Sequence, residues 1–280
     1  MTGTTRPLIF ACEGHPLLGV LHAGDRKTGV LMVNGGVQTR VGPHRSFVDL
    51  ARGWAADGHP VLRFDRRGIG DSGGRDPGFL GSMPDIEAAV AALLCGGGVD
   101  RYIGFGLCDG ATALTLACAG DPRCAGLILL NPWIIEANDD PARLTAAQHY
   151  QRRLRDPRTL RRLLRGEVRI GRAMRSLGRL ALDKVRRRRA ARPLAGQLAE
   201  ALVRFSGPRL ILLSEHDTTA AVFEAALHTP EWAPLLQSGN VTLQRLAGAD
   251  HTCSAPPARE ALIETCRRWV MTGAGPDAAA

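Results

Sequence analysis

The segment Tyr102-Ile103-Gly104-Phe105-Gly106-Leu107-Cys108-Asp109-Gly110 constrains this 280-residue chain more than any other. Its first part reads as a buried strand, and the small residues of Asp109–Ala119 read as a helix that follows at once. Glycines stand two before and two after Cys108. A nucleophile held on a sharp strand-to-helix turn needs this arrangement, because a Cβ at either glycine would keep strand and helix apart. The residue at the turn is a thiol, and the positive end of the helix dipole favours its anion. Alone, the pattern also fits a buried cysteine in a glycine-rich turn.

The flanking periodicity supplies the context. Leu8–Cys12 and Leu17–His22 flank a Glu-Gly-His-Pro turn and predict an N-terminal hairpin. Gly29–Val33 is a short apolar run ending at Asn34-Gly35-Gly36. Phe47, Leu50, Ala51, Trp54 and Ala55 recur at helical spacing from about His44. Pro60–Phe64, Tyr102–Phe105, Leu127–Leu130, Arg209–Leu213 and Val241–Leu246 read as further strands. Ile86–Leu94 and Pro257–Val270 read as helices. Strands of about five residues alternating with longer helices predict βαβ units, hence an α/β fold with a mostly parallel central sheet covered by helices on both faces. Residues 134–205 break the rhythm and read as an inserted helical cap. The core is then 1–133 and 206–272, with 273–280 a disordered tail.

A cysteine nucleophile needs a base, and the base needs an acid to orient it. Both occur in order along the chain. The strand at 210–213 runs into Ser214-Glu215-His216-Asp217, which can present Asp217. The strand at 241–246 runs into Gly248-Ala249-Asp250-His251, and His251 precedes the last helix. Glu215 is the fallback acid; Asp250 reads as a turn residue of the histidine loop. Two backbone N–H groups must hold a developing oxyanion. Asp109, after the nucleophile, and Gly36, after the first parallel strand, are the candidates, with Val37 next. Asp65 and Arg67, in Phe64-Asp65-Arg66-Arg67-Gly68-Ile69-Gly70-Asp71-Ser72, read as braces of the same sheet edge. No nucleotide-binding glycine loop and no Cys-x-x-Cys pair occurs, so neither a cofactor nor a metal is expected.

Taken together, these motifs resemble the α/β-hydrolase superfamily over residues 8–270. More narrowly, Val33–Gly42, Arg63–Ser72 and Gly106–Gly110 resemble the type 1 hydrolases associated with the bacterial exosortase A system, a family linked to exopolysaccharide and protein-sorting gene clusters. The resemblance supplies no substrate; the three residues Cys108, His251 and Asp217 themselves predict hydrolysis of an ester or thioester. Cysteine departs from the serine of most esterases, although dienelactone hydrolases also carry a cysteine at this turn. Acyl transfer by the same three residues, or a catalytically silent binding protein on the same fold, are the alternatives.

Composition enters where partners are concerned. Arginine outnumbers lysine 34 to 2, and the net charge is +9. Residues 150–192 hold 17 Lys and Arg against three acids, a net of +14, which leaves the remainder at −5. Within that stretch Arg161, Arg165, Arg169 and Arg172 share a helical face opposite Leu160, Leu164 and Ile170. The bland reading is a solvated cap face; the sharper one is an anionic carrier or membrane surface. Nucleic acid is disfavoured, since Tyr150 is the one aromatic residue of the stretch. Seven cysteines without an export signal predict a reduced, cytoplasmic protein, peripheral to the inner membrane if the basic face meets lipid.

Overall fold

The computed structural model describes residues 4–136 and 193–272. The proposed tail at 273–280, most of the proposed cap and the four arginines Arg161, Arg165, Arg169 and Arg172 lie outside the described residues. Eight strands form one sheet: β1 (Thr5–Cys12), β2 (His15–His22), β3 (Thr28–Val33), β4 (Val61–Phe64), β5 (Arg101–Leu107), β6 (Cys124–Leu130), β7 (Arg209–Ser214) and β8 (Val241–Leu246). Their spatial order is β1-β2-β4-β3-β5-β6-β7-β8. The predicted hairpin is β1–β2, in which Cys12 pairs with His15 and Glu13 and Gly14 take positive φ, as a two-residue hairpin turn requires. β2 is antiparallel to β4, and every pair from β4 to β8 is parallel.

The strands β3, β4, β6 and β7 are buried along their whole length, as a parallel sheet between two helical layers must be. Their alternate residues feed two separate cores. Ile103, Phe105 and Leu107 of β5 face one layer, made by α1 (Ser46–Ala56) and α7 (Pro256–Met271). Phe105 lies edge-on to Phe47 and Trp54, with ring centres 5.3 and 5.6 Å apart. The opposite face of β5 carries Tyr102, Gly104 and Gly106. There α2 (Met83–Gly97) and α3 (Asp109–Cys118) cover the sheet through Ile86, Val90, Leu93, Ala113 and Leu114. Phe79–Gly97 is long and apolar enough to match a membrane span, with a mean hydropathy of 1.4, but its α2 residues Ile86, Ala89, Val90 and Leu93 are buried in this core.

The helix α4 (Leu194–Arg204) falls inside the stretch that reads as a cap. It packs against α3, and its Leu198 and Leu202 are fully buried with Ile134 and Ile135 in the same cluster. Leucines four apart give it one apolar stripe, and that stripe belongs to the core of the sheet domain. Two helices between β7 and β8, α5 (Thr218–Leu227) and α6 (Ala233–Gln237), are not announced by the sequence periodicity.

Buried charge fixes the edge of the sheet near the elbow. Asp85 is completely buried, accepts the Arg67 backbone N–H at 3.1 Å and pairs with the Arg67 guanidinium. It also accepts the Cys12 thiol at 3.1 Å, and burial, with that carboxylate close by, pushes the thiol up to about 12. Asp65 pairs with the Arg40 guanidinium and accepts the Asp71 N–H at 3.2 Å. Asp65 and Arg67 thus bind their own loops together.

Candidate active site

Cys108 sits between β5 and α3 with φ 58° and ψ −128°. A non-glycine residue holds such a conformation only where its surroundings dictate it. Here its N–H donates to Leu130 O at 2.9 Å, and its carbonyl accepts from Ala111 at 3.1 Å and from Trp133 at 3.2 Å. The elbow is therefore gripped by the end of β6 on one side and by its own helix on the other. A Cβ on Gly106 would stand 2.5 Å from Ala111 Cα, and one on Gly110 would stand 2.5 Å from the carbonyl carbon of Asn34. Both obstacles are backbone and cannot swing aside. Gly106→Ala is expected to destabilise the fold by about 2 kcal/mol or more, read as a melting temperature lower by roughly 5 °C in thermal denaturation. A variant that melts with the wild type contradicts this packing.

The acid comes from the end of β7. Asp217 caps α5, accepting the N–H of Thr219 at 3.2 Å and of Ala220 at 3.0 Å. These amides hold its carboxylate in one orientation. His251 follows β8, and its Nδ1 stands 2.9 Å from Asp217 Oδ2. At this separation the carboxylate and the protonated ring form an ion pair. The Cys108 side chain is the ring's other close neighbour among the groups that shift its titration. Contact with Asp217, and secondarily with Cys108, raises His251 from 6.5 to about 10, against the effect of its burial. The raised value keeps the ring protonated at neutral pH, next to the Asp217 carboxylate and the Cys108 sulfur.

Three of the sequence-predicted residues, Cys108, Asp217 and His251, thus meet at one place. Glu215 and Asp250 do not join them. Glu215 accepts the Gly248 N–H at 2.7 Å, and Asp250 accepts the N–H groups of Thr252 at 3.1 Å and Ser254 at 2.9 Å. The amide of Gly36 lies beside the elbow, but it donates to Asp109 Oδ1 at 2.7 Å. The second candidate, the Asp109 N–H, belongs to the first residue of α3.

One further residue was not visible as functional in the sequence. Asn131, fully buried at the end of β6 with φ 49°, donates Nδ2 to the Ser214 hydroxyl at 2.9 Å and to the His251 carbonyl at 3.0 Å. Its Oδ1 accepts the Ser214 N–H at 2.8 Å. It joins the end of β7 to the histidine loop. The detectable sign was Asn-Pro directly after a strand, which marks a turn without revealing which loops it ties.

Comparison with known proteins agrees with this fold. The family model described as "Alpha/beta hydrolase family" matches residues 30–264. Among solved structures, the esterase Pf2001 of Pyrococcus furiosus superposes with a TM-score of 0.64 at 15% identity, over 96% of this chain and 93% of its own. A dienelactone hydrolase from Anabaena variabilis gives 0.63 at 16%, over 97% and 99%. Est1E from Butyrivibrio proteoclasticus, solved with ferulic acid bound, gives 0.62 at 17%, over 95% and 98%. No curated protein matches the chain by sequence. The structural likenesses speak to the fold, and the family model spans the sheet from β3 to the last helix with the elbow, acid and histidine loops inside it. The chain belongs to the alpha/beta hydrolase family.

Proposed function

We propose that the protein hydrolyses an ester or thioester through a covalent acyl-cysteine. The observation that carries this reading is the contact chain from Cys108 through His251 to Asp217, on a strained elbow. The Cys108 sulfur attacks the carbonyl carbon and forms an S–C bond, while the carbonyl electron pair moves onto oxygen. Collapse breaks the bond to the leaving group, which takes the proton of the His251 imidazolium. His251, now neutral, removes a proton from water as the water attacks the thioester. The acid is released, and the proton returns to the sulfur–imidazole pair. Asp217 orients the ring and stabilises its charge.

The esterase and dienelactone hydrolase names among the structural neighbours favour ester chemistry, and the exosortase-type wording of the loops favours a role beside exopolysaccharide synthesis. The basic stretch with Arg161, Arg165, Arg169 and Arg172 extends the proposal to an anionic carrier or inner-membrane surface, in the cytoplasm. Binding there that is insensitive to salt contradicts an electrostatic role.

Labelling with iodoacetamide tests the central reading. Cys108 is expected to alkylate faster than the exposed Cys95, and His251→Ala is expected to erase the difference. Equal labelling of the two thiols in the wild type assigns the fold to a binding protein instead.

A further inference from the structure

Gly36 N–H is one of the two amides assigned to the oxyanion, and it is already occupied by an anion. Asp109 Oδ1 accepts it at 2.7 Å, the short distance of a charge-assisted bond. The loop that carries Gly36 cannot retreat to make room. The buried Arg66 guanidinium holds the Gly36 carbonyl at 2.5 Å, and Asn34 Nδ2 ties the loop to Thr39 O at 2.6 Å. For a substrate oxyanion to reach the Gly36 amide, the Asp109 side chain is therefore the part that must move. Its backbone is fixed at the first residue of α3, directly after the nucleophile, so the displaced carboxylate stays beside the acyl carbon. Among the described residues, no cation forms an ion pair with Asp109. A plain acyl group offers this carboxylate no partner next to the developing negative charge, and the repulsion opposes the transition state.

Building on the cysteine mechanism, we propose that the Asp109 side chain is a specificity-determining group. It occupies the Gly36 N–H in the free protein, and the site favours acyl groups that carry an ammonium or hydroxyl group near the carbonyl to receive the displaced carboxylate. The discriminating element is then a charge inside the oxyanion site rather than the shape of an acyl pocket.

The test compares p-nitrophenyl propionate with p-nitrophenyl 3-aminopropionate at pH 7 on the full chain. The wild type is expected to prefer the amino ester in kcat/KM by about 10-fold or more. Asp109→Ala is expected to raise propionate hydrolysis by about 10-fold, less than the roughly 10²- to 10³-fold of a whole oxyanion donor because the carboxylate can swing aside, and to abolish the preference. Asp109→Ser, too short to reach the Gly36 amide, repeats the measurement should the alanine variant lose its thermal transition. Unchanged or slower propionate hydrolysis in a folded variant, or a preference that survives, overturns the assignment while leaving the acyl-cysteine intact. If neither ester leaves an acyl adduct on Cys108 by intact mass, the cysteine mechanism falls and this inference with it.

Discussion

Cys108→Ala is expected to abolish turnover of every ester and thioester that the wild type cleaves, with kcat/KM lower by about 10⁴-fold or more. The size follows from what is removed. His251 and Asp217 keep their places, because Asp217 is held by its own helix amides and the histidine loop by Asn131. The variant therefore retains an ordered site and lacks only the sulfur. Residual rate then comes from positioning and oxyanion contacts alone, which in well-studied triads amounts to a small remainder. Two readouts check it: the rate itself, and the disappearance of the acyl mass increment on the protein. Wild-type turnover in a folded Cys108→Ala protein removes Cys108 from the mechanism. Cys108→Ser is the milder change because it keeps a nucleophilic atom at the elbow, although a hydroxyl beside a charged imidazole lacks the base it needs.

Asp217→Asn is expected to lower kcat by about 10²- to 10⁴-fold and to bring His251 back toward its ordinary value. Contact with Asp217 is the leading cause of the rise of His251 to about 10, so its loss is visible in the titration itself. Histidine NMR should report a midpoint near 10 in the wild type and well below it in the variant. The raised value also fixes a pH window for stability. The folded protein favours the imidazolium, so that contribution is fully present below about 6.5 and fades as pH rises through about 10. Heating the wild type at pH 7 and at pH 10.5 should show a lower melting temperature at the higher pH, and Asp217→Asn should narrow the gap attributable to His251. A wild-type His251 that titrates at 6.5 contradicts the coupling.

Much of this candidate site is legible in the sequence. The strand–glycine–cysteine–glycine–helix signature is steric, so local sequence alone can specify it, and the order of acid and histidine follows from loops at the ends of identifiable strands. The sheet was legible because its parallel strands are short apolar runs such as Leu127–Leu130. The helices α5 and α6 were not, because Thr218-Thr219-Ala220-Ala221 and Pro234-Leu235-Leu236 lack a helical apolar period. The side-chain destinations were hidden as well. Nothing in Cys108-Asp109-Gly110 says that the carboxylate turns across to Gly36, since that bond joins residues 73 positions apart. The role of Asn131 was hidden for the same reason, because its partners lie 83 and 120 positions away.

Asn131 also bears on how the protein fails. Its one side chain fastens the acid-bearing end of β7 and the histidine loop to the strand beside the elbow. An opening that frees the histidine loop must break a buried, fully bonded amide, so that loop shares the protection of the central strands against hydrogen exchange instead of fraying like a surface segment. Catalytic competence and the β6–β7 half of the sheet are then lost in one cooperative event. Heat inactivation and unfolding should coincide, with no populated state in which the sheet survives around a misaligned catalytic centre.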